Sequence, residues 1–149
     1  MQLISRSPAD TSALAGQIIT LLKPNEVKAT VLFLTGDLGT GKTTFTQSLA
    51  KELGIDLPVT SPTFVIQKTY ETGHTDWQKL MHIDCYRLEG GADLAKLGFS
   101  EWLASPETLM VLEWPERVTD ILPPPDLELR FKFIDNQTRE INYDQKVGH

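Results

Sequence analysis

Apolar positions along this chain alternate between helical spacing and strand-like runs, and the switches between the two predict the elements in order. Leu3 and Ile4 predict a short strand over Met1 to Ser5. Ser7-Pro8-Ala9-Asp10 reads as a helix start, with Ser as N-cap, Pro at the first helical position and Asp in the first turn. Leu14, Ile18, Leu21 and Leu22 keep helical spacing until Lys23-Pro24-Asn25 stops it. Glu26 and Lys28 mark a surface loop, and Thr30 to Thr35 is a strand. A helix from Lys42 to Leu53 carries Phe45, Leu49 and Leu53 on one face and ends at Gly54. Val65 to Tyr70 and Trp77 to Cys85 predict two strands pairing as an antiparallel hairpin across a turn from Glu71 to Asp76. Gly90-Gly91 breaks the chain before one or two short helices over Ala92 to Ala104, interrupted near Gly98. Thr108 to Glu113 has the unbroken apolar run of a buried central strand. A short helix is expected over Pro115 to Leu122, closed by three prolines. Leu127 to Phe133 alternates as a half-buried strand, and Arg139 to Tyr143 returns as its hairpin mate before a fraying end. The expected fold is one α/β domain over residues 1–149, with no internal repeat.

Composition narrows the classes. At 149 residues the chain has a single-domain length, and 40% apolar with 23% charged residues is ordinary for a soluble protein. The net charge of −6 comes with scattered Lys and Arg and no basic arm or stripe. That argues against unaided tight binding to DNA or another nucleic-acid backbone, while an acidic surface suits a basic protein partner. A lone Cys85 excludes an internal disulfide and a cysteine zinc cluster. No apolar run reaches the roughly 20 residues of a membrane span, and the N-terminus has no signal-peptide pattern, so no membrane partner is expected. The expected compartment is a reducing cytoplasm.

The chemistry begins at Gly36-Asp37-Leu38-Gly39-Thr40-Gly41-Lys42-Thr43, between the strand and the helix. This matches G-x-x-x-x-G-K-[ST], whose glycines let backbone N–H groups converge on a phosphate at the helix N-terminus. A glycine-rich turn would account for one or two glycines, but not for Lys-Thr at the helix start. Lys42 would reach the β- and γ-phosphates, and Thr43 would ligate Mg²⁺. Hydrolysis also needs a metal-side acid, and in an open α/β sheet it sits at a strand's carboxyl end. Asp84 ends Leu80-Met81-His82-Ile83 and Glu113 ends Leu109–Leu112, so both are candidates. Either acid alone would more simply cap the next turn; the phosphate loop in the same domain favours function for both. Ser61-Pro62-Thr63-Phe64 follows the loop helix, and a hydroxyl there can order a segment only around a triphosphate. A hydroxyl-rich turn is the plainer reading of that stretch. His82, Asp84 and Tyr86 share one face of an extended segment, with His82 expected to orient Asp84. Arg87 is read as structural or interface, Trp114 as core or as lying over the nucleotide, Trp77 and Trp102 as packing or interface, and Cys85 as a small buried hydrophobe. A guanine-specific Asn-Lys-x-Asp motif is absent, which favours adenine.

Four motifs in order, Gly36 to Thr44, Ser61-Pro62-Thr63-Phe64, His82-Ile83-Asp84-Cys85-Tyr86-Arg87-Leu88 and Glu113-Trp114-Pro115-Glu116, closely resemble the bacterial TsaE proteins. The resemblance runs from about Ser7 to Arg139. It implies a P-loop NTPase-like three-layer sandwich with a mixed, partly antiparallel sheet. It also implies Mg²⁺-dependent ATP hydrolysis supporting the TsaD–TsaB complex as it transfers threonylcarbamoyl to an adenosine of tRNA. The chain itself would meet tRNA only indirectly. In the family pattern the residues matching Thr43 and Glu113 hold Mg²⁺ and the one matching Asp84 is needed for activity. Ser61 and Thr63 match a switch segment, and Asp10 or Thr11 together with Arg139 resemble the adenine-side contacts. Thr40 stands where alanine is usual, and its side chain is expected to point out of the loop. Cys85 replaces a usual leucine, and Val27 to Thr30 add length before the loop strand. The alternative is a small-molecule kinase of the same fold, although the arginines are scattered and only Arg117 could serve a lid. A nucleotide-gated binding module with negligible hydrolysis also stays open.

Overall fold

The computed structural model describes residues 1–37, 39–60 and 66–144. Among them seven strands form one mixed sheet: β1 (Gln2–Ser5), β2 (Thr30–Thr35), β3 (Gln67–Glu71), β4 (Lys79–Asp84), β5 (Thr108–Glu113), β6 (Leu127–Phe133) and β7 (Arg139–Asn142). Their order across the sheet is β1-β7-β6-β2-β5-β4-β3. The four middle strands run parallel, while β3 pairs antiparallel with β4, and β7 with both β6 and β1. Helices α1 (Pro8–Leu21), α2 (Lys42–Glu52), α3 (Gly91–Lys96) and α4 (Phe99–Leu103) complete the described elements. The mixed α/β architecture expected from the sequence is therefore the one observed.

Side chains alternate along each central strand, which sorts the core into two layers. Leu32 and Leu34 of β2 and Leu109 and Val111 of β5 join Leu14, Ile18, Phe45 and Leu49 from α1 and α2. Val31 and Phe33, with Met110 and Leu112, pack on the other face against Leu94 of α3 and Phe99 of α4. Burial on both faces explains why β2 and β5 read as continuous apolar runs rather than alternating ones. Phe45 sits edge-on to Phe131, ring centroids 5.8 Å apart, and seats α2 on the sheet. Truncating such a fully buried ring costs about 3–5 kcal/mol, so Phe45→Ala would unseat the helix that carries the loop's Lys-Thr.

Local signals set several boundaries. Ser7 caps α1 by accepting from the Asp10 N–H at 3.2 Å, with Pro8 at the first position. Elsewhere tertiary structure shortens what the pattern predicts. β4 starts at Lys79 rather than Trp77, because Trp77 turns into the core and its Nε1–H donates to Thr30 Oγ1 at 2.9 Å. The helix expected over Pro115 to Leu122 is only a 3₁₀ turn, Pro115–Arg117, since Val118 leaves helical geometry to reach the core. The expected start of β3 at Val65 and the fraying end over 145–149 lie outside the described residues.

Candidate functional site: a phosphate loop facing two strand-end acids

β2 is the strand from which neighbours diverge. The chain places β4 and β5 on one side of it and β6 on the other, a switch point that opens a crevice beyond the strands' carboxyl ends. The loop from Gly36 enters that crevice and hands over to α2 at Gly41, which is left-handed at φ 95°. Gly36 is also left-handed at φ 137°, and a Cβ there would lie 2.4 Å from the Phe131 carbonyl oxygen. Only glycine fits both conditions.

Thr40 corrects an expectation. Its side chain points inward, is 2% exposed, and donates to the Asp37 carbonyl at 2.7 Å. The hydroxyl closes the loop on itself, which an alanine could not do. Lys42 is also buried; its Nζ donates to the Gly36 carbonyl and sits 4.0 Å above the centre of the Trp114 ring. Burial pulls the Lys42 ammonium below the usual lysine range, opposed first by Glu113 and then by Glu116, Asp84 and Asp37. A buried cation surrounded by acids is a site poised for a more intimate anion.

The acids arrive by register. β4 and β5 run parallel with Asp84 opposite Glu113 and His82 opposite Val111, so both carboxylates leave the sheet side by side. Parity puts them on the face covered by α2, where Lys42 and Thr43 begin the helix. Thr43 Oγ1 donates to Glu113 Oε2 across 3.4 Å. Asp84 Oδ1 accepts from the Tyr86 N–H at 3.0 Å, so it does cap the following turn while also lining the crevice. Its carboxyl is raised above the ordinary aspartate value chiefly by burial, with the Tyr86 N–H the strongest opposing influence. His82 is not the orienter of Asp84 expected from alternation: its Nε2 lies 2.5 Å from Glu113 Oε2, because the neighbouring strand brings that oxygen closer. Cys85 points to the opposite core layer, fully buried, its thiol pushed up to about 12 by desolvation.

Trp114 is the one non-glycine residue with positive φ among those described, at 60°. A bulky aromatic ahead of a proline holds that conformation only under constraint from its surroundings. The kink turns its ring onto Lys42 and against Tyr86, ring centroids 5.0 Å apart, and the Arg117 guanidinium lies 5.3 Å from the Tyr86 ring centre. Arg87 is exposed and does not line the crevice. Trp102 packs partly buried against the α3/α4 layer.

Gly39 to Thr44, Asp84, Glu113, Trp114 and Arg139 line a crevice of about 300 Å³. A second, of about 510 Å³, continues from it through Thr40, Gly41, Thr44 and Arg139 to Ser5, Thr11 and the β6–β7 turn at Asn136 and Gln137. Thr11 therefore lies in the second crevice, whereas Asp10 is engaged at the helix start, its Oδ2 accepting from the Arg6 N–H at 2.9 Å. Arg139 joins the two crevices. Its Nη1 donates to the Asp135 and Thr138 carbonyls, while the buried Nε has no hydrogen-bond partner among the described residues. Ser5, Asn136 and Gln137 escaped the sequence reading, since β1 and the β6–β7 turn lie more than a hundred residues apart in the chain. Leu38, Ser61 and Thr63 lie outside the described residues.

The donor set fits Mg²⁺. No group of three His, Cys, Asp or Glu side chains forms a metal cage among the described residues. Mg²⁺ does not need one: it keeps several waters and takes one or two carboxylates plus phosphate oxygens. Thr43 and Glu113 would hold it, with Asp84 next to them.

Comparison with known proteins identifies the family. The family model for the threonylcarbamoyl adenosine biosynthesis protein TsaE matches residues 5–141. The tRNA threonylcarbamoyladenosine biosynthesis protein TsaE of Aquifex aeolicus is 37% identical over 97% of this chain and 96% of its own. The Bacillus subtilis protein of the same name is 37% identical over 92% of this chain and 80% of its own. The crystal structure of Bacillus subtilis YdiB superposes with a TM-score of 0.75 at 31% identity, covering 96% of this chain and 83% of that one. With a nucleotide-binding P-loop at its centre, this chain belongs to the TsaE family and serves the threonylcarbamoyladenosine modification of tRNA.

Proposed function

We propose that this protein binds ATP with Mg²⁺ in the crevice between the loop and β4/β5, and hydrolyses it in support of a TsaD–TsaB complex. The observation that carries the reading is Lys42 and Thr43 opening α2 directly opposite Glu113 and Asp84, with Thr43 Oγ1 3.4 Å from the Glu113 carboxylate. The N–H groups of Gly39 to Thr43 suit the phosphates, which would replace the Gly36 carbonyl as the partner of Lys42. Phosphate charge also relieves the cost of burying that ammonium. The larger crevice suits the base and ribose, with Thr11 and Arg139, whose Nε has no hydrogen-bond partner among the described residues, as polar groups. Trp114 lies against the phosphate end, where its ring shields Lys42 from water.

When bound, Mg²⁺ supplies charge neutralisation at the β- and γ-phosphates. Thr43 and Glu113 would hold it, and Asp84 would orient the attacking water. Asp84 suits this because burial makes it a better proton acceptor than a solvated aspartate. Ser61 and Thr63 are proposed to sense the γ-phosphate. One domain over 1–149, without a helix long and apolar enough to cross a membrane among the described residues, suits a cytoplasmic accessory that meets tRNA only through its partners. The test is phosphate release from ATP and Mg²⁺ with and without purified TsaD–TsaB. Release stimulated by the partners is expected; transfer of phosphate to a small acceptor, or no release under either condition, overturns the reading.

A further inference from the structure

His82 is fully buried, set between the apolar Leu80 two residues earlier and Val111 directly opposite in β5, with Lys68 opposite it in β3 and Asp84 two residues later. A leucine would pack there without burying polar atoms. Instead the imidazole keeps Nδ1 buried with no hydrogen-bond partner among the described residues, an arrangement that costs stability. The other nitrogen, Nε2, lies 2.5 Å from Glu113 Oε2. Glu113 is itself 3% exposed, and that same oxygen also receives the Thr43 hydroxyl at 3.4 Å.

The contact also says which group donates. A carboxylate only accepts, so the shared hydrogen belongs to His82 Nε2. The ring then serves as a rigid donor built into the middle of the sheet. It holds Oε2 in place and leaves Oε1 with no hydrogen-bond partner among the described residues. Without that donor, a glutamate at a strand end samples several rotamers and must be ordered at the moment a ligand arrives.

We infer that His82 is a positioning residue for the metal-side acid: it orients Glu113 through Oε2 so that Oε1 is presented to a divalent cation beside Thr43. The inference rests on the reading of Glu113 and Thr43 as the metal-side pair. His82 touches neither nucleotide nor cation, and it acts through the carboxylate alone. Partners that orient a ligating carboxylate in this way are worth about 10- to 100-fold in metal affinity.

The test uses Mn²⁺, followed by its electron paramagnetic resonance signal, with a non-hydrolysable ATP analogue on the full chain. Analogue affinity in EDTA and melting temperature are measured beside it. His82→Leu is expected to weaken Mn²⁺ binding about 10- to 100-fold while metal-free analogue affinity stays within about twofold. His82→Gln, whose amide nitrogen reaches the position of Nε2, is expected to restore most of the loss. His82→Asn, polar but too short, is expected to behave like His82→Leu and stands in for it if that variant does not fold. In a Glu113→Gln background neither change should weaken Mn²⁺ binding further. A melting-temperature loss with wild-type Mn²⁺ affinity overturns the inference, as does a loss that persists in that background. If Glu113→Gln alone leaves Mn²⁺ affinity unchanged, the metal-side reading itself has failed and this inference falls with it.

Discussion

The phosphate loop and the strand-end acids meet across one crevice, yet they are built in opposite ways. Gly36 to Thr43 is a local device. Its glycines, the inward Thr40 hydroxyl and the Lys42 contact with the Gly36 carbonyl all lie within eight residues. The acids are a product of pairing. Asp84 and Glu113 are 29 positions apart, and only the parallel register of β4 on β5 sets them side by side. His82 is drawn to Glu113 by the same pairing. In the proposed reading the locally closed loop serves binding and the assembled cluster serves chemistry. Binding and hydrolysis should therefore separate under mutation.

Lys42→Ala is the sharpest break on the loop side. It removes the charged donor for the phosphates and should weaken ATP binding by about 100-fold, read by calorimetry, with little loss of melting temperature. Glu113→Gln is the matching break on the other side. Mg²⁺-dependent phosphate release should fall by about 100-fold while metal-free nucleotide affinity is retained; parallel losses in both would erase the distinction.

Asp84→Asn tests how the cluster trades stability for chemistry. Because the folded carboxyl titrates above its unfolded value, the folded chain holds the proton more tightly, and the ionised form costs stability once pH exceeds the folded value. The variant should melt higher than the wild type at pH 7 and release less phosphate. The thermal gain should vanish as pH falls below the ordinary aspartate value of 3.8. A smaller effect is expected at Thr40. Thr40→Val loses the hydroxyl's bond to the Asp37 carbonyl, worth about 1 kcal/mol, or about 2–4 °C in melting temperature. Affinity for nucleotide should drop with it only if the loop's closure is needed before phosphate arrives.

Legibility followed the distance over which each feature is made. The α1 start, with Ser7 as cap and Pro8 behind it, is written in four consecutive residues, and so is the Lys-Thr opening of α2. β2 and β5 announced themselves because burial on both faces leaves no polar position inside the run. The helix expected after Pro115 shrank to a single turn because Val118 gains more from the core than from another helical bond. Alternation along β4 correctly placed His82 and Asp84 on one face, but alternation says nothing of the strand next door. For that reason the partner of His82 was misassigned, and the second crevice was reached only through the resemblance, at Thr11 and Arg139, without its Ser5, Asn136 and Gln137.

By itself the sequence determined the α/β class, the nucleotide loop with Lys42 and Thr43, and the two acids that end apolar strands. These rest on periodicity, on glycine's access to left-handed backbone and on short-range chemistry, all of which act within a few residues. Tertiary structure alone decided that Glu113 faces Thr43 and is held by His82, that Thr40 turns inward, and that Arg139 bridges two crevices. Each of those depends on which strand lies beside which and in what register, a choice made by packing the two faces of the whole sheet at once.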